Sequence, residues 1–169
     1  MIQSNALSFN VKWNYKTAGL LFALVVLPEL LGSVNVPVAA GFKLHFFPVA
    51  IFLAAAIYGP AGGLLSGFAG SFYSAYAMGN PYILIGNALL GFFTGLFLRK
   101  GFHTVPAVWL AYAIQLPWLI LTDYYLLHLP LPLIENLAIA LLLSNTLWAA
   151  GVHYLVKLVP PSIKNNTFI

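Results

Sequence analysis

Six apolar runs, separated by short polar or proline-bearing joints, organise this chain. They cover about 17–33 (TAGLLFALVVLPELLGS), 45–59 (HFFPVAIFLAAAIYG), 60–78 (PAGGLLSGFAGSFYSAYAM), 81–98 (PYILIGNALLGFFTGLFL), 104–127 and 132–158. Most approach the roughly 20 residues that an α-helix needs to cross a hydrocarbon core. The second run is short, which predicts a tilted or broken span, and Pro48 falls in its first turns, where a helix tolerates proline. Pro60, Pro81 and Pro132 each stand at a predicted helix start, a favoured proline position.

Charge orients the six runs. With the N-terminus in the cytoplasm, Lys12, Lys16, Arg99, Lys100, Lys157 and Lys164 fall inside and Lys43 alone falls outside. Such an excess of basic residues on one side is what the positive-inside rule demands, and an odd number of spans would scatter them. The acids go the other way. Glu29, Asp123 and Glu135 all lie on the outer side, together with His45, His128, Asn35, Asn80, Tyr82, Tyr124, Tyr125 and Asn136. Lys12 and Lys16 precede the first run as in a signal peptide, but the long polar leader and the late small-residue stretch PVAAG read as a retained first span.

Composition narrows the class. Of 169 residues, 62% are hydrophobic and 6% charged, against about a quarter charged in a soluble domain. The bilayer must therefore be the solvent, and the predicted fold is an all-α integral membrane bundle of six transmembrane helices, one domain over 1–169, with both termini cytoplasmic. The net charge of +4 is spread along the chain and makes no nucleic-acid patch. The absence of cysteine removes disulfides, thiolate metal sites and cysteine nucleophiles. The two outer histidines and the acids match no compact metal-ligand spacing. An intramembrane aspartyl protease needs two aspartates, and this chain has one; GFAGS is not a serine-nucleophile motif. Nothing calls for a metal or cofactor.

The candidate chemistry is at the outer side. Glu135, three residues after Pro132, sits where a helix start favours an acid, so it is either a helix-end residue or a ligand contact. Asp123, about one turn before the end of span 5, sits where the helix dipole resists an anion. A carboxylate in that position requires a cation, a set of donors or a wet cavity, and Lys43, His45 and His128 are the outer partners on offer. Glu29 has the same unfavourable placement at the end of span 1. Tyr124 and Tyr125, with Trp118 about one turn earlier, are either an interfacial belt or the lining of a pocket for a flat or cationic ligand. In span 6, Asn145 and Trp148 share a face and Asn136 lies near it, for helix packing or for ligand binding. Asn87 and Gln115 read the same way.

Small residues recur at four-residue spacing. Span 3 carries Gly63, Gly67, Ser71 and Ala75, and span 4 carries Asn87, Gly91 and Gly95. Such rows let helices approach closely in lipid, and here they predict internal packing. In span 1, Gly19 and Ala23, with Ala18 adjacent, make a small face open to another membrane protein.

Taken together, FFPVAIFLAAAIYGPAGGLLSGFAGSFYSA (46–75), NALLGFFTGLFLRK (87–100), the long first loop PELLGSVNVPVAAGFKLHFFP and the six-span plan resemble the S components of energy-coupling factor (ECF) transporters. The resemblance implies a subunit of a prokaryotic plasma membrane that binds a vitamin or other micronutrient at its outer side through the first loop and spans 4–6. It implies docking, through a small Ala-xxx-Ala face on span 1, onto a transmembrane coupling subunit driven by two cytoplasmic ATPases. The S component then topples to release its load. Gly19-xxx-Ala23 matches that face with Gly in the first place. No P-loop is present, as fits a subunit that does not hydrolyse ATP. The N-terminal Met-His of nickel and cobalt members is absent, and so is the cysteine of one cobalamin type. Acids beside aromatics fit a ring-bearing, polar compound, cations included, such as a thiamine-like vitamin or a deazapurine precursor. The alternative is a small intramembrane enzyme or channel subunit built on Asp123, Glu135 and His128.

Overall fold

A computed structural model describes residues 9, 11–37 and 43–160; Lys164 lies outside them. The described chain is helical, with one short hairpin. Helix α1 is Tyr15–Gly32, strands β1 and β2 are Asn35–Pro37 and Lys43–His45, and α2 to α7 are Pro48–Tyr58, Pro60–Ala69, Phe72–Met78, Ile83–Arg99, Thr104–Ile120 and Leu131–Leu158. A π-helix, Leu121–Leu126, continues α6. Three rods are long and apolar enough to cross a membrane: Tyr15–Gly32, Thr104–Leu126 and Leu131–Leu158.

α1 begins where Asn14 Oδ1 accepts from the Lys16 and Thr17 N–H groups, while Thr17 Oγ1 accepts from Asn14 N–H. This reciprocal box satisfies amides that the first turn leaves unpaired. Nothing comparable starts α2, where Pro48 occupies the first position. With eleven residues α2 is roughly 16 Å long, well short of a 30 Å hydrocarbon core. It is the centre of the bundle instead, with Ala50, Ile51, Phe52, Ala54, Ala55 and Tyr58 all buried, and it packs against α1, α3, α5 and α7. The Tyr58 hydroxyl donates to Thr17 O at 2.6 Å and ties the end of α2 to the start of α1. Gly59, at φ 77°, turns the chain directly into α3, which opens on Pro60.

α3 and α5 pack backbone on backbone. A Cβ at Gly63 would collide with the Gly91 carbonyl, one at Gly91 with the Gly63 carbonyl, and one at Gly67 with the Asn87 carbonyl. Gly95 faces the Gly59–Pro60 corner in the same way. The small-residue rows of these two helices therefore meet each other, which leaves no room for a methyl group at their crossing.

Three features depart from six plain spans. The first loop carries an antiparallel ladder pairing Asn35 with His45, Val36 with Leu44 and Pro37 with Lys43, so His45 belongs to a strand and not to span 2. The third run breaks at Gly70–Ser71, because the Ser71 N–H falls back onto Phe68 O at 3.3 Å and the Pro28 ring fills the space beside Gly70. The fifth ends in the π-helix, whose Leu127 N–H reaches five residues back to Thr122 O at 2.9 Å.

Gly63→Ala is expected to destabilise the protein by about 1–3 kcal/mol through forced separation of α3 and α5. Gly19→Ala, at a position with no atom within 4 Å of an added Cβ, is expected to be near neutral. Thermal unfolding in detergent compares the two.

Candidate functional site

α1, β2, α4, α5, α6, the π-helix and α7 enclose a cavity of about 160 Å³. One wall carries Asp123, Thr122, Trp118 and Gln115 from the α6–π rod. A second carries Asn80, Tyr82, Gly86 and Asn87 at the start of α5. Gly32, Tyr73, Ser74 and Met78 come from α1 and α4, His45 and Phe47 from the loop, and Leu137 and Leu141 from α7.

Asp123 is 3% exposed. Its Oδ1 accepts from Asn80 Nδ2 at 2.7 Å, and Thr122 Oγ1 stands 3.3 Å away. A neutral amide, that of Asn80, is thus a donor that offsets its burial. Local geometry produces this arrangement. Gly79 ends α4 in the left-handed region at φ 61°, and Asn80 then turns the chain, its Oδ1 accepting from the Tyr82 N–H at 3.0 Å while its Nδ2 is left to face Asp123. On the other side, Thr122 Oγ1 sits on Trp118 O at 2.9 Å, so the hydroxyl takes a carbonyl at the point where the helix widens. Trp118 Nε1 donates to Tyr82 O at 3.1 Å and fixes the indole at the cavity wall, with the two rings edge to face.

A second polar line leads from Gln115 and Asn87 at the cavity wall into the contact between α3 and α5. Gln115 Nε2 donates to Asn87 Oδ1 at 3.1 Å, Asn87 Nδ2 donates to Ser71 Oγ at 2.8 Å, and the Ser71 hydroxyl donates to Gly67 O at 2.6 Å. Gly86 leaves the space in which Gln115 and Trp118 approach α5.

The remaining candidates divide. Glu29 takes the Phe72 and Tyr73 N–H groups on its two oxygens, both at 2.6 Å, and so caps α4 from α1. Trp148 Nε1 donates to His45 O at 2.7 Å and Ser144 Oγ accepts from His45 N–H at 3.1 Å, which pins the hairpin to α7 beside the cavity. Asn145 is fully buried one turn below Leu141, with both amide atoms unpartnered. Tyr124, Tyr125 and His128 are exposed and line a separate cleft with Leu129. Glu135 and Asn136 are exposed on α7. Because α7 begins at Leu131, Glu135 lies in its second turn, beyond the reach of the helix-end explanation. The side chain of Lys43 lies outside the described part of the structure. Ala18, Gly19 and Ala23 are exposed on one side of α1, away from the cavity.

Sequence reading placed Asp123, Trp118 and His45 at the site but left Asn80, Thr122 and Tyr82 out of it. The Gly79-Asn80-Pro81 turn signal was the legible clue to Asn80.

Known proteins match this architecture. A family model for the ECF-type riboflavin transporter S component matches residues 13–155. A solved structure, the S component of a bacterial ECF transporter, superposes with a TM-score of 0.60 at 16% identity, covering 85% of this chain and 95% of that one. No curated protein sequence matches. The chain belongs to the ECF-type riboflavin transporter S-component family. It is a membrane transport subunit, the substrate-binding part of an ECF transporter, and not an enzyme.

Glu29→Ala is expected to speed hydrogen exchange at the Phe72 and Tyr73 amides by about tenfold, since two charge-assisted bonds are lost there. Mass-spectrometric exchange on purified protein checks it.

Proposed function

We propose that this subunit captures riboflavin, or a close flavin relative, at the outer face of a prokaryotic plasma membrane. α1, α3–α4, α5, α6 with the π-helix, and α7 then serve as spans, and the short α2 carries the chain back through the middle of the bundle, shielded from lipid by its neighbours, so that both termini lie inside, in line with the distribution of basic residues. The observation that carries the reading is the cavity itself. An indole and a tyrosine ring suit a flat heterocycle, and Asp123, Asn80, Gln115 and Asn87 suit the imide edge and hydroxylated chain of a flavin. Family membership supports the same ligand. A cationic ring such as thiamine is less favoured, because the matching family model is that of a riboflavin transporter S component.

Energising belongs to partners: a transmembrane coupling subunit and two cytoplasmic ATPases. The open small face of α1 at Ala18, Gly19 and Ala23 is the surface offered to the coupling subunit, since an added side chain at Gly19 meets nothing within this chain.

Titration of purified protein, followed by quenching of flavin fluorescence, is expected to show saturable binding of one riboflavin per chain, undisturbed by excess thiamine. Binding of thiamine in preference to riboflavin would sink the flavin assignment. Asp123→Asn is expected to weaken riboflavin binding by about tenfold without unfolding, the scale of one lost hydrogen bond to a charged group. Gly19→Leu is expected to leave that affinity unchanged and abolish uptake in cells carrying the whole transporter. Uptake that survives the substitution removes α1 as the docking face.

A further inference from the structure

The polar line from Gly67 to Gln115 has a direction, and its direction fixes what the cavity asks of its ligand. It starts at a backbone carbonyl. The chain break at Gly70–Ser71 sends the Ser71 N–H to Phe68 O, so Gly67 O receives its hydrogen from the Ser71 hydroxyl. That hydroxyl has one proton, and it is committed. Toward Asn87 it offers only lone pairs, so Asn87 must present its NH₂ to Ser71 and its oxygen to Gln115. Gln115 must in turn present its NH₂ to Asn87. The orientation of both amides follows from the first bond, and neither can flip without leaving Gly67 O or a buried amide hydrogen unpaired.

The line ends on Gln115 Oε1. Gln115 is 4% exposed, lines the cavity, and its Oε1 is buried with no hydrogen-bond partner. An unpaired buried acceptor is costly, and a ligand that brings a donor removes the cost. A ligand with an acceptor or a methyl group at that point leaves it in place. Asp123 stands two turns further along the rod, roughly 12 Å away along the axis, and its free carboxylate oxygen is also an acceptor. Both polar ends of the cavity therefore ask for donors.

We infer that Gln115 is a specificity-determining residue whose buried Oε1, its amide orientation fixed by Ser71 and Asn87, selects ligands carrying an N–H or O–H donor on their buried edge. The inference rests on the flavin reading above. In a flavin, that donor is either the imide N–H of the ring or a hydroxyl of the ribityl chain, and one experiment distinguishes them. Dissociation constants are measured for riboflavin, for 3-methylriboflavin, which lacks the imide N–H, and for lumiflavin, which lacks the ribityl hydroxyls. The proteins are wild type, Gln115→Leu, which removes the acceptor, and Ser71→Ala, which keeps the cavity shape but frees the amides to reverse. Wild type is expected to bind the analogue lacking the relevant donor about tenfold or more weakly than riboflavin. In both variants that penalty is expected to shrink to within about threefold, while the penalty for the other analogue stays as in wild type. Because Ser71 does not line the cavity, loss of discrimination in Ser71→Ala separates a fixed amide from a steric fit. Wild-type penalties for both analogues, in either variant that still binds riboflavin, overturn the inference and leave the function standing. A wild-type protein that binds no flavin overturns the function and this inference with it.

Discussion

Direct contact between the backbones of α3 and α5 governs the rest of this structure. Gly63 lies on Gly91 and Gly67 on Asn87, with no side chain between them. In lipid there is no hydrophobic drive to hold helices together, so close van der Waals approach and a few polar bonds must do so. The same approach brings Ser71 within reach of Asn87, and Asn87 within reach of Gln115. The glycines that let the helices touch thus also orient the two amides, Asn87 and Gln115, that reach the cavity wall. α2 fills the centre of the bundle as a short plug, and its buried faces let the longer rods arrange themselves around it.

The helical plan was largely legible because prolines and glycines punctuate it. Pro48 and Pro60 mark the starts of α2 and α3, and the glycine rows announced close internal packing, though not which helix would meet which. What was illegible depends on contacts between distant residues. Neither the hairpin nor its bonds to Ser144 and Trp148 leave a period in the sequence, because contacts from the distant α7 hold it in place. The break between α3 and α4 depends on Glu29 in α1, which caps a helix more than forty residues away. Its carboxylate looked misplaced at the end of α1 only because the helix start that it serves belongs to another segment.

The site shows the same division. Asp123 stood out because a buried acid near a helix end demands an explanation, and the structure places the Asn80 amide against it. Asn80 carries no charge and sits in a turn, so composition gave it no prominence. Gln115 and Asn87 resembled packing amides, and they are also that: one end of each bond holds helices together, while Oε1 of Gln115 remains unpartnered at the cavity wall. The aromatic pair Tyr124–Tyr125 had the more conspicuous sequence, but the π-helix turns both rings outward, away from the carboxylate beside them.

Two arms of the protein meet at α1. Its open face carries Gly19 and Ala23, and its last turns hold α4, whose Tyr73, Ser74 and Met78 line the cavity. The chamber and the proposed docking face therefore share one helix, α1. The central claim is that the chamber enclosed by Trp118, Asp123, Asn80 and Gln115 is the substrate site. A crystal structure of the chain purified with riboflavin tests it most directly. The predicted result is flavin density inside that chamber, within hydrogen-bond distance of Asp123. Density in the Tyr124–Tyr125–His128 cleft instead, with the chamber empty, would contradict it.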